Sequence, residues 1–146
     1  MKVKQLSLFL ENKPGSLSRP IKLLAKAKLN VLTLSLADTQ QFGILRLVVR
    51  DWEKAKQVLD KDGFVVKVSD LVAVEVADEP GGLADILETL EKAGANLEDM
   101  YGFTLKQESK GVLAFRFDDP DRAIAALQQK GINPVASVDL FKRLED

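Results

Sequence analysis

The sequence predicts an α+β fold built twice over, as two tandem βαββαβ units with antiparallel sheets. Three observations predict it. Residues at the start of the chain recur at a fixed offset in its second half. Within each half, period-two and period-3.6 hydrophobic stretches alternate in the same order. The junctions between them carry the same turn residues.

Pro14, Gly15, Leu17, Leu24, Lys26, Ala27 and Asn30 recur 66 positions later as Pro80, Gly81, Leu83, Leu90, Lys92, Ala93 and Asn96. Gly43, Leu45, Asp51, Ala55, Leu59 and Gly63 recur 68 positions later as Gly111, Leu113, Asp119, Ala123, Leu127 and Gly131. The offset grows by two because the second copy is longer in the polar, hairpin-like stretch "TLKQESKG", where insertions are tolerated. The units are expected at 1–69 and 70–146, with only a residue or two between "VVKVSD" and "LVAVEV". So short a linker holds the units at high effective concentration, and side-by-side packing would satisfy edge strands.

Each unit opens on a strand in which Leu6, Leu8 and Leu10, or Val72, Val74 and Val76, alternate with more polar positions. After Pro-Gly, the spacing of Leu17, Ile21 and Leu24, and of Leu83, Ile86, Leu87 and Leu90, predicts a helix with one buried stripe. Pro20 conflicts with a helix interior, and a cap at Ser18 would move it into the first turn. Lys28 and Gly94 fall near the helix ends. Strands are predicted at 31–38 and 43–50, and at 97–105 and 111–117. Asp51 and Asp119 then precede helical patterns, where a carboxylate accepts hydrogen bonds from the open amides of the first turn. Gly63 and Gly131 are expected to end those helices as left-handed residues. Final strands are predicted at 64–68 and 132–139, with both helices of a unit on one sheet face.

Composition narrows the chemistry. Of 146 residues, 46% are hydrophobic and 29% charged, as in a globular protein, and no apolar run reaches membrane-spanning length. With no recognisable leader at the N-terminus, a cytoplasmic location is the simplest expectation. The absence of Cys and His removes disulfides, thiolate ligands and the commonest general base. Ser-Lys, paired-carboxylate and phosphate-loop patterns are lacking, so neither an enzyme nor a cofactor or metal is expected. Asp118, Asp119 and Asp121 read better as a helix start than as a metal site. The net charge of −1 divides unevenly: residues 1–70 hold 13 Lys+Arg and 7 Asp+Glu, and residues 71–146 hold 8 and 15. A +6 half and a −7 half can face each other, within a chain or across a dimer.

The repeated strand-turn-helix junction offers open amides, the positive end of a helix dipole and a glycine that lets a ligand near the backbone. Such a place suits a small carboxylate. Asn12 before the turn and Asn30 at the next strand are expected to lie near each other, where two amides would hold the carboxylate and ammonium of an amino acid. The second copy has Asp78 and Asn96 there, which serves an ammonium and leaves the carboxylate to backbone amides.

The βαββαβ unit with "N-x-P-G-x-L" after its first strand and "K-A-x-x-N-[VL]" at its second resembles the ACT domain, a small-molecule-binding regulatory module of amino-acid metabolism. The resemblance covers the whole chain twice, without an attached catalytic domain. It implies an amino-acid ligand between two units packed side by side, touching the first loop, its glycine and the residue opening the second strand. Carried over by position, these are Asn12, Gly15 and Asn30, then Gly81 and Asn96, with Asp78 departing from the motif. Pro14, Ser16 and Gly82 share those loops, and Leu17, Val31, Leu83 and Leu97 would shape a side-chain pocket. It further implies a homodimer read by a partner enzyme or regulator.

Two rival readings use the same topology. A ligand-free scaffold for oligomerisation or enzyme docking has the same fold and charge. An RNA-binding module would need aromatics where "KGVLAFRF" has Val112 and Ala114, and its acidic half would repel phosphate. Phe115 and Phe117 are therefore expected in the core, matching Leu47 and Val49. Neither nucleic acid nor membrane is expected as a partner.

Overall fold

A computed structural model describes residues 2–38, 40–103, 110–132 and 134–145. The expected hairpin stretch at 104–109 and the end of the strand predicted to reach 105 lie outside them. The chain divides into two compact units, Lys4–Ser69, and Asp70–Asp146 together with Met1–Val3.

In the N-terminal unit, β1 (Lys2–Glu11), β2 (Val31–Asp38) and β3 (Phe42–Val49) form an antiparallel sheet with β3 between β1 and β2. Helices α1 (Ser18–Lys26) and α2 (Trp52–Lys61) cover one face. Leu6, Leu8 and Leu10 meet Leu45, Leu47 and Val49 across the sheet, and Leu24, Ala55 and Leu59 close the core from the helices. Alternation explains the choice of residues, since every second side chain of a strand shares a face. Pro20 is the third residue of α1, in the first turn, where its missing amide would have had no helical acceptor. The cap is Leu17 and Ser18 is already helical, one residue earlier than expected.

The C-terminal unit repeats the plan with β4 (Val66–Ala77), α3 (Gly82–Lys92), β5 (Leu97–Phe103), β6 (Lys110–Phe117) and α4 (Pro120–Gln129), β6 lying between β4 and β5. Val72, Val74, Val76, Phe115 and Phe117 pack with Ile86, Leu90, Ala123 and Leu127. Leu87, expected on the buried stripe, is 37% exposed. Lys2 reaches Asp121 at 2.9 Å, and that hydrogen bond holds its ammonium above the ordinary lysine range.

Two expectations fail. The strands predicted at 64–68 and around 72–76 are one continuous strand, β4, with no linker. The strand predicted over 132–139 is reduced to a single bridge, Val74 to Pro134, and a 2.8 Å bond from the Val135 amide to the Ala73 carbonyl. Proline cannot donate to a ladder. The chain then enters α5 (Ser137–Glu145), where Leu140, Phe141 and Leu144 recur at helical spacing. Asp139 in its first turn and Lys142 and Arg143 in its last complement the helix dipole. Arg143 pairs with Glu75, on the face of β4 opposite Val74 and Val76, so α5 covers the second face of this sheet. Ala73 and Leu140 are fully buried accordingly.

The starts of α2 and α4 and the turns that end the helices are as the sequence predicts. The Asp51 carboxylate accepts from the Lys54 amide at 3.3 Å and the Asp119 carboxylate from the Arg122 amide at 3.2 Å. Past α1, α2, α3 and α4 the chain takes a left-handed residue, Lys28, Gly63, Gly94 and Gly131, each followed by the same bond back into the helix, as from the Leu29 amide to the Leu24 carbonyl. Lys28 at φ 61° bears the Cβ that the three glycines avoid. Lys28→Gly is expected to stabilise the protein by about 1 kcal/mol, read as a higher urea midpoint at unchanged slope. A lower midpoint would show that the lysine side chain contributes more than its backbone strain costs.

Candidate ligand site at the repeated strand-helix junctions

The two Pro-Gly loops share one backbone hydrogen-bond pattern. The Lys13 amide donates to the Glu11 carbonyl at 3.0 Å, Ser16 to Lys13 at 3.3 Å and Arg19 to Gly15 at 3.3 Å. Their counterparts are Glu79 to Ala77 at 2.9 Å, Gly82 to Glu79 at 3.1 Å and Asp85 to Gly81 at 3.1 Å. Gly15 and Gly81 both take positive φ, 89° and 93°, which lets the loop turn into the helix. The amides of Gly15, Leu17 and Ser18, and of Gly81, Leu83 and Ala84, have no acceptor among the described residues. Each junction therefore presents several donors at the positive end of a helix.

The asparagines do not complete the site as the sequence suggests. Glu11 pairs with Phe42 at one end of β3, and Val31 pairs with Val49 at the other. At about 3.4 Å per residue, Asn12 and Asn30 of one unit are separated by roughly the length of that strand, about 24 Å. The reason is topological: β1 and β2 both run antiparallel to β3, so α1 carries the chain back along the whole sheet between them. Asp78 and Asn96 are separated in the same way, since Ala77 pairs with Lys110 and Leu97 with Phe117. Pro14 to Leu17 and Gly81 to Leu83 stay with Asn12 and Asp78, whereas Val31 and Leu97 go with Asn30 and Asn96.

Asn12 is also engaged, its side-chain amide donating to the Gln40 carbonyl at 2.9 Å. The Asn96 amide donates to the Asp118 carboxylate at 3.1 Å, which also accepts from Asp119 at 2.8 Å. Asp118 thus braces the turn, Asp119 caps α4 and Asp121 pairs with Lys2.

Cavities flank both junctions. In the C-terminal unit a cleft of about 420 Å³ is lined by Val76, Asp78, Glu79, Leu83, Gly111 and Leu113. The corresponding place in the N-terminal unit, between Leu10, Asn12, Leu17 and Gly43, encloses only about 80 Å³. Leu36 is among its lining residues, its Cδ1 lying 3.2 Å from where a Cβ on Gly43 would stand. The other flank of that loop opens into a cleft of about 480 Å³ bounded by Phe9, Lys13, Gly15, Ser16, Arg19 and Phe64. Arg19 lies over the Phe64 ring at 4.9 Å and holds Asp62 through Nε and Nη2 at 3.0 and 2.7 Å. Lys13, Arg19, Phe64 and Glu79 were not singled out from the sequence, although opposite charges at the repeat-aligned positions 13 and 79 are visible there.

A family model of ACT domain pairs matches residues 1–144. This chain belongs to the ACT domain family. ACT domains are regulatory modules, and the repeat is the pair of units that the family description names. Among solved structures, protein BT0572 from Bacteroides thetaiotaomicron is 37% identical, with a TM-score of 0.89 over 97% of both chains. The regulatory subunit of aspartate kinase from Thermus thermophilus, in its ligand-free form, shares the fold at 16% identity and a TM-score of 0.62, covering 88% of this chain and 91% of its own. That from Thermus flavus does so at 17% identity and 0.62, covering 88% and 92%. No curated protein matches the sequence. Among the described residues of this ACT pair, no helix is long and apolar enough to cross a membrane and no group of three or more acidic side chains could hold a metal ion.

Proposed function

We propose that this ACT pair is a non-catalytic sensor that binds an amino acid or a similar small carboxylate at its Pro-Gly junctions. The observation that carries the reading is the pair of loops with matching backbone hydrogen bonds, each with unpaired amides at a helix start and a cleft beside it among the described residues. Carboxylates are bound by such amides, and apolar walls such as Leu83 and Leu113 suit a side chain. Occupancy regulates by favouring one packing of the units or of two chains over another, which requires that the packings differ in affinity. A second copy and a partner enzyme or regulator in the cytoplasm are the readers. Exposed Phe9, at 70%, and Val65, at 85%, support such contacts.

A thermal-shift screen over the twenty L-amino acids tests this. A ligand at about a hundred times its Kd adds about 2.7 kcal/mol, or about 5–10 °C for a chain of this size. A selective rise of that order is expected. No rise with any of them would favour the ligand-free scaffold instead.

A further inference from the structure

We infer that Lys13, and its repeat counterpart Glu79, determine which junction accepts a carboxylate, so that the N-terminal junction is the anion site and the C-terminal junction excludes anions. This rests on the function proposed above. The two residues occupy the same node of the loop. Each amide donates two residues back, and each carbonyl accepts from the residue that precedes the repeated leucine by one, Ser16 or Gly82. Both border a cleft large enough for an amino acid. The clefts open on different flanks of the loop, but the charge at this node is reversed, and charge differs again at Asn12 against Asp78 and at Arg19 against Asp85.

The partners make the contrast usable. Among the described residues Lys13 pairs with Glu11, at 2.9 Å, with both side chains 64% exposed. Such a surface pair holds its members weakly, so the ammonium can turn to a ligand at little cost. Arg19 is committed to Asp62 and Phe64, whereas Lys13, which borders the same cleft, is held among the described residues by one exposed carboxylate. At the other junction Asp78 and Glu79 have no basic partner among the described residues. A carboxylate bound to the Gly81 and Leu83 amides would meet two like charges bordering the same cleft, whereas an ammonium would be attracted there.

Calorimetric titration of the full chain decides the matter. The probes are each amino acid that responds in the thermal-shift screen, its N-acetyl form, which keeps the carboxylate, and its carboxamide, which keeps the ammonium. Wild type is expected to bind the N-acetyl form once per chain. Lys13→Glu and the uncharged Lys13→Met should weaken it about ten-fold or more, with the unliganded thermal midpoint unchanged. Glu79→Lys should raise the stoichiometry towards two. Undiminished binding by both Lys13 variants, or two N-acetyl sites in wild type, would overturn the inference and leave the sensor reading standing. Failure of every free amino acid to bind wild type would remove both.

Discussion

Phe115→Ala is expected to lower stability by about 3–5 kcal/mol, a large fraction of the roughly 5–15 kcal/mol that holds a domain folded. Phe115 is completely buried in the middle of β6. It stands opposite Val72 on β4 and Met100 on β5, and its ring lies 5.8 Å from that of Phe117 at 28°. Removing it deletes apolar area and leaves a cavity between the helices and a sheet whose strands are fixed by their ladders, so little collapse can fill it. Urea unfolding can be followed separately in each unit, because the single Trp52 lies in the N-terminal unit and the single Tyr101 in the C-terminal one. The transition reported by Tyr101 should move furthest. A loss below about 1 kcal/mol would mean that the core repacks as a fluid one would, against the usual behaviour of close-packed interiors.

How much was legible follows from which signals are local. The strand faces and the caps at Asp51 and Asp119 came directly from periodicity and from residue chemistry within a few positions, and the structure has them at the same residues. The role of Phe115 and Phe117 was legible because their repeat counterparts, Leu47 and Val49, have no reason to be aromatic platforms. The misreadings are non-local. The strand expected over 132–139 follows from its strand-like start at Ile132, and its last three residues instead open α5. The cover that α5 gives to the second face of β4 is a tertiary contact, anchored by Arg143 and Glu75, that no short window contains. The predicted nearness of Asn12 to Asn30 failed for a related reason. These motif residues are 18 apart in sequence, and the direction of β2 relative to β1 sets them at opposite ends of the unit.

Gly82→Ala should destabilise the C-terminal junction by about 1–3 kcal/mol. A Cβ at Gly82 would stand 2.2 Å from the Ala77 carbonyl oxygen and 3.2 Å from its carbon. Both atoms are backbone at the end of β4, so relief requires the strand end and the start of α3 to part. The loop between them holds Asp78, Glu79 and Pro80, which line the cleft. Gly82 is therefore better understood as the residue that lets strand and helix meet than as a ligand contact. The N-terminal unit has Ser16 at the aligned position, and α1 there begins at Ser18, two residues later than α3 by repeat alignment. A side chain at this position and a delayed helix start go together. Gly111→Ala is the control, since a Cβ there meets nothing within 4 Å and the residue borders the same cleft. Equal losses for Gly82→Ala and Gly111→Ala would show that lost cleft space, and not the strand-helix approach, is what the junction cannot tolerate. A large loss at Gly82 with little at Gly111 assigns the shape of the site to the contact between Gly82 and Ala77.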